Sequence, residues 1–206
     1  MQISESDKST QQRLRLHYLD GLRGLAALYV VMVHINRYMG EEPVFLQLIG
    51  KTLRYGNFAV AVFIVLSGYV LMLPVARSQS SYLSRGLWDY IQRRSRRILP
   101  PYYAALLFSL LIAIIVLGLI KFFNFQWHES PEYGEFHPFF SPVDVITHLL
   151  LIHNLSRDTL GSINAPMWTV ATEWQIYFFF PLLLLPIRRR FGLFSAIISA
   201  FLIALV

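Results

Sequence analysis

Long apolar runs separated by polar or basic stretches set the rhythm of this chain. They cover residues 21–39, 58–76, 100–120 and 166–187, and another begins at Phe191. About 20 apolar residues in helix cross the ~30 Å hydrocarbon core of a bilayer, so each of the first four is long enough to span. A further apolar stretch, 145–155, is only eleven residues long. It is too short to cross and fits an interfacial or re-entrant helix. The pattern predicts an all-α, polytopic transmembrane helical bundle of about five spans over residues 19–206. Residues 1–18 are polar and read as a disordered cytoplasmic tail, with no apolar h-region ahead of the first span. Asp20 stands where a helix N-cap is expected, and Pro100-Pro101 reads as a helix start. Ser67-Gly68 lets a neighbouring helix approach.

Composition agrees. The chain has 206 residues, 55% hydrophobic and 15% aromatic, and a mean hydropathy of +0.49, a balance that excludes an ordinary soluble domain. Without cysteine there is no disulfide, thiolate nucleophile or thiolate metal site. The net charge of +6 is explained by basic loops rather than by nucleic acid. Lys8, Arg13 and Arg15 lie in the tail, six arginines lie in 77–97, and Arg188–Arg190 follow the fourth span. The 121–165 loop is acidic, with Glu129, Glu132, Glu135, Asp144 and Asp158. The positive-inside rule then places the N-terminus and both basic loops in the cytoplasm and the acidic loop outside. The sequon Asn154-Leu155-Ser156 falls in that outer loop.

Ionisable side chains are costly at membrane depth and mark sites by default. Arg23 and His34 share the first span eleven residues apart, about 16 Å along a helix. Glu173 lies about seven residues into the fourth span, at a depth expected to match His34, and the two form a candidate acid/base pair. Arg94 and Arg97, at i and i+3, share a helix face. With Arg23 they form a candidate cluster for phosphates. Plainer roles exist for each: headgroup contacts for the arginines, an interhelical hydrogen bond for His34, a structural partner for Glu173. Trp168 and Trp174 read as interface anchors. His128, His137, His148 and His153 have no metal-like spacing, and no metal site is expected. A transporter or channel subunit with Arg23, His34 and Glu173 along a proton or anion path is the competing class, although no inverted repeat is visible.

The same residues carry a resemblance. LDGLRGLAALYVVMVH is similar to the opening signature of the acyltransferase-3 family, membrane acylases that include bacterial O-antigen and peptidoglycan O-acetyltransferases, and Arg23 and His34 match its Arg-x10-His motif. YGNFAVAVFIVLSGYVL resembles the family's second-span pattern. RRSRRILPPYY resembles its Arg-x-x-Arg-Ile-x-Pro-x-Tyr motif, and PMWTVATEWQIYFFFPL its Trp-Thr-Leu-x-x-Glu motif. The four stand in the family's order across about residues 17–190. Ala61 replaces an aspartate common in bacterial members, a version closer to fungal ones. The resemblance implies a domain of roughly ten spans, of which this chain holds about half. It also implies acyl transfer, commonly acetyl from acetyl-CoA, to a hydroxyl of a carbohydrate or other small acceptor. Acyl-CoA is then a co-substrate rather than a bound cofactor, with its phosphates on Arg23, Arg94 and Arg97. His34 is the general base or an acyl carrier, and Glu173 orients it. A truncated, inactive acyltransferase is the remaining alternative, because the sequence stops within an apolar run.

Overall fold

The computed structural model describes residues 17–37, 51, 53–77, 83, 86–127 and 136–204. The expected tail, up to residue 16, lies outside them. Helix α1 is His17–Arg37. It starts ahead of Asp20, which therefore lies inside the first turns rather than at an N-cap. A short 3-10 turn, Leu53–Tyr55, leads into α2, Gly56–Arg77. The two helices are antiparallel, and Gly56 meets Val33 so closely that an added Cβ would lie 3.0 Å from a Val33 methyl.

Helix α3, Gly86–Phe123, has 38 residues and carries Pro100 and Pro101 in its interior. The expected start at Pro100 is thus corrected: the basic segment and the apolar span form one continuous helix. Interior prolines remove backbone N–H donors, but the turn before them, Arg96-Arg97-Ile98-Leu99, is rich in residues that favour helix. At ~1.5 Å per residue, α3 is roughly 57 Å long, well beyond a bilayer core. Its arginine-bearing end projects from the apolar part.

Among the described residues of 121–165 no helix is long enough to cross. Helix α4, Pro142–Leu149, is one short piece of a hairpin that also includes the 3-10 turn His153–Leu155. Ser141 and Asp144 form a reciprocal capping box, with Pro142 in the first turn. Burial nudges the Asp144 carboxyl up, but its bonds from Ser141 outweigh this and hold it below its ordinary value. The helix closes on Leu151 at φ 53, with Leu151 N–H bonded to His148 and Ile152 N–H to Thr147. That is a Schellman closure with leucine where glycine is usual.

After a 3-10 turn at Ala165–Met167, α5 runs Trp168–Phe179. It widens into a π-turn at Phe180–Leu184, around Pro181, and continues as α6, Leu185–Ala204. Gly192, at φ 85 and ψ 177, breaks α6 after the three arginines, where the fifth run was expected to begin. Only glycine adopts that conformation readily. Among the described residues three helices are long and apolar enough to cross a membrane, with Gly21–His34 a shorter apolar one.

Two core clusters lie end to end. One joins Leu71, Val75, Tyr90, Ile98, Tyr177, Phe180 and Leu185. These residues come from the C-terminal part of α2, the N-terminal part of α3 and the α5–α6 junction, so these ends lie together. The other joins Tyr102, Leu106, Leu151, Ile163, Met167 and Ala171, where the hairpin packs between α3 and α5. Arg77, the basic start of α3 and Arg188–Arg190 therefore share one end of the bundle.

Candidate active site

The bundle buries a charge pair. Arg23 of α1 is 5% exposed and Glu173 of α5 is 7% exposed. Arg23 Nη2 donates to Glu173 Oε1 at 2.8 Å. The same oxygen accepts from Tyr177 Oη at 2.6 Å and from Ser67 Oγ at 3.3 Å. Three helices thus meet on one carboxylate oxygen. Helical spacing explains the supply: Phe63 and Ser67 are i and i+4 on α2, Glu173 and Tyr177 i and i+4 on α5. Phe63 places its ring 4.9 Å from the Arg23 guanidinium, adding cation–π attraction on the apolar side. Arg23 Nε is buried and has no hydrogen-bond partner among the described residues. Ser67 thus serves the carboxylate, and the expected close helix approach at Ser67-Gly68 is corrected, because a Cβ at Gly68 would meet nothing within 4 Å.

Arg94 lies one step toward the basic end. Its guanidinium is 5.3 Å from the Tyr177 ring and 5.7 Å from the Tyr90 ring. Tyr177 thus holds Arg94 on its face and Glu173 on its hydroxyl. Arg97 and Arg96 are exposed, and Arg93 pairs with Asp89 one turn before it. The expected three-arginine cluster is not assembled as such: Arg23 is committed to Glu173, Arg94 lies against two tyrosine rings, and Arg97 is exposed.

His34 is half-buried near the far end of α1. Eleven residues of helix separate it from Arg23, about 16 Å, so Glu173 lies about that far from His34 as well. The expected match in depth between His34 and Glu173 is corrected. Asn164 Nδ2 donates to Ser109 Oγ at 2.9 Å, while α3 continues for 14 residues beyond Ser109 to Phe123. The fourth span therefore starts well below the outer end of α3, and counting inward from Pro166 as though it lay at the surface places Glu173 too high.

The hairpin holds what sequence reading passed over. His148 and His153 are both fully buried, with rings stacked 3.8 Å apart at 8°. Tyr102, the tyrosine of the arginine-proline motif, stacks on His153 at 6.5 Å and donates its hydroxyl to the His148 carbonyl at 2.8 Å. Gln175 Nε2 donates to the Leu151 carbonyl at 3.0 Å and to Asn154 Oδ1 at 2.6 Å. Asn154 Nδ2 donates to Thr172 Oγ1 and Gln175 Oε1. The sequon amide is thus engaged between the hairpin and α5, not presented for glycosylation. Trp174 packs against both clusters rather than anchoring at an interface. A lone histidine pair five residues apart gives no periodic signal, and only the turn at Leu151 stacks the two rings.

The four motifs thus converge on one constellation in a membrane-type bundle, and an acyltransferase domain model matches residues 16–206. The chain belongs to the acyltransferase-3 family. It is 29% identical over 196 residues to "Acyltransferase MdmB" of Streptomyces mycarofaciens, covering 91% of this chain and 45% of that protein. It is 27% identical over 170 residues to "Peptidoglycan O-acetyltransferase OatA" of Listeria monocytogenes, covering 81% of this chain and 24% of that protein. "Protein 2 in picA locus" of Rhizobium radiobacter is 33% identical over 168 residues, 79% of this chain and 76% of that protein. The chain spans less than half the length of the first two relatives. No solved structure matches it significantly. Family membership and the long apolar helices together make this a multi-pass membrane chain.

Proposed function

We propose that the protein moves an acyl group, acetyl in the first instance, from acyl-CoA to a hydroxyl of a carbohydrate or other small acceptor. The observation that carries this reading is the buried Arg23–Glu173 pair, which ties the first family motif to the fourth inside an apolar bundle. A desolvated ion pair is weak evidence for stability alone, so a functional reason for keeping it is favoured.

In this reading the donor's phosphates sit on Arg94 and Arg97 at the basic, cytoplasmic end, with the N-terminus on that side. The pantetheine arm passes the Arg23–Glu173 pair, where Arg23 Nε is placed to donate to an amide carbonyl of the arm. From the Arg94 level to His34 is about 22 Å along the helices, fifteen residues at 1.5 Å each. His34 takes the acceptor hydroxyl's proton as general base while the hydroxyl oxygen attacks the thioester carbonyl and the CoA thiolate leaves. Glu173 acts at a distance from His34: by fixing Arg23 it fixes the rotation of α1 that aims the imidazole. Arg23 changes role from phosphate ligand to partner of Glu173.

The test is radiolabelled acetyl-CoA offered with a panel of hydroxyl acceptors to the full-length protein in lipid. Transfer in the wild type and none in His34→Ala, with acetyl-CoA affinity retained, is the expected result. A wild type that moves ions or solutes without consuming acetyl-CoA would replace this reading by the transporter one.

A further inference from the structure

We propose that Tyr177 is a positioning residue that couples donor binding at Arg94 to the carboxylate of Glu173. This rests on the reading above, in which Arg94 receives the anionic end of an acyl-CoA. Two independent contacts of one side chain carry it. The hydroxyl of Tyr177 makes the shortest of the three bonds to Glu173 Oε1, 2.6 Å. Its ring face lies 5.3 Å from the Arg94 guanidinium, within cation–π range. Tyr177 itself is 1% exposed and wedged among Leu71, Val75, Tyr90 and Phe180. It cannot shift at either end without the other end responding, because close-packed interiors pass displacement on rather than absorbing it.

The consequence is directional. A phosphate arriving at Arg94 competes with two aromatic faces for the same guanidinium, since the Tyr90 ring also lies 5.7 Å from it. Charge-assisted bonds to phosphate outweigh cation–π attraction, so the guanidinium tilts toward the donor. The Tyr177 ring follows, and its hydroxyl moves relative to Glu173 Oε1. Glu173, with Arg23 and Ser67 on that same oxygen, then resettles, and α1 with it. The groups facing Tyr177 from the helices packed on it are Arg23, Arg94, Tyr90 and Glu173, so the coupling has defined members.

The test uses the full-length protein in lipid, with Tyr177→Phe and Tyr177→Leu compared by steady-state kinetics and by direct acetyl-CoA binding. Tyr177→Phe keeps the ring and loses the hydroxyl. It is expected to leave acetyl-CoA affinity within about twofold while kcat falls at least tenfold. Tyr177→Leu loses the ring as well, and acetyl-CoA affinity should then fall about tenfold. A merely structural tyrosine would lower the fraction of protein that binds acetyl-CoA and leave kcat per binding-competent molecule unchanged, and that result overturns the proposal. So do wild-type constants in Tyr177→Phe, whether or not Tyr177→Leu folds. Absence of any acyl transfer by the wild type would instead overturn the proposed function, and this inference with it.

Discussion

Arg23 and Glu173 stand 150 residues apart in sequence and 2.8 Å apart in space. Each is nearly fully buried, so each makes the other tolerable. Replacing one partner leaves an uncompensated charge in an apolar bundle and is expected to cost about 3–5 kcal/mol. Arg23→Met and Glu173→Met should each lower the unfolding midpoint in lipid nanodiscs sharply. The double substitution should recover most of the loss while transfer activity stays absent. Additive destabilisation in the double variant would mean that the two side chains do not depend on one another.

The arginines of α3 should separate by role. Arg94 is held face-on by two tyrosine rings, and a lysine ammonium cannot stack as a plane. Arg94→Lys should therefore behave nearly as badly as Arg94→Ala in acyl-CoA binding. Arg97 is exposed. Arg97→Ala should cost about 1.5–3 kcal/mol of affinity for one charge-assisted phosphate contact, and Arg97→Lys should recover part of it. Calorimetric binding of acyl-CoA to the full-length protein decides, and equal responses at the two positions would defeat the distinction.

What was legible in the sequence follows from which signals are local. The spans were legible because hydropathy is a local sum, and the break after Arg188–Arg190 because charge interrupts it. Arg23, His34, Glu173, Arg94 and Arg97 stood out as residues that membranes tolerate only for a reason. Their pairing did not, because it depends on how deep each helix sits. The hairpin pushes the start of α5 inward to the level of Ser109, and that shift moves Glu173 from His34 to Arg23. Ser67 and Tyr177 were invisible for another reason. A serine and a tyrosine in apolar runs look like packing until a carboxylate is found between them.

Orientation is testable directly, because the chain lacks native cysteine. Gln92 and Gln126 are both exposed, the first at the basic end of α3 and the second just beyond its other end. Single cysteines there should react with an impermeant thiol reagent from opposite sides of sealed vesicles. Gln92 is expected on the cytoplasmic side. Labelling of both from one side would mean that α3 does not cross.

The stacked histidines make the hairpin sensitive to acid. Two imidazoles 3.8 Å apart, both fully buried, cannot carry charge together without several kcal/mol of desolvation and repulsion. Burial pushes His148 down, and burial with the nearby His148 pushes His153 down to about 4. An unfolded histidine takes up its proton near pH 6.5. Above that pH neither state binds the proton, and the hairpin keeps its full stability. Between 6.5 and about 4 the opened state binds protons that the closed state refuses, so stability falls as pH falls. The slope should be about 1.4 kcal/mol per pH unit for each histidine in its window. Hydrogen exchange at amides 145–163, corrected for intrinsic pH dependence, reads that opening. His153→Phe keeps a flat ring against Tyr102 and His148 while removing one titrating group, so it should reduce the slope. A hairpin whose protection does not change between pH 7 and pH 5 would show that the pair is not held neutral by the fold.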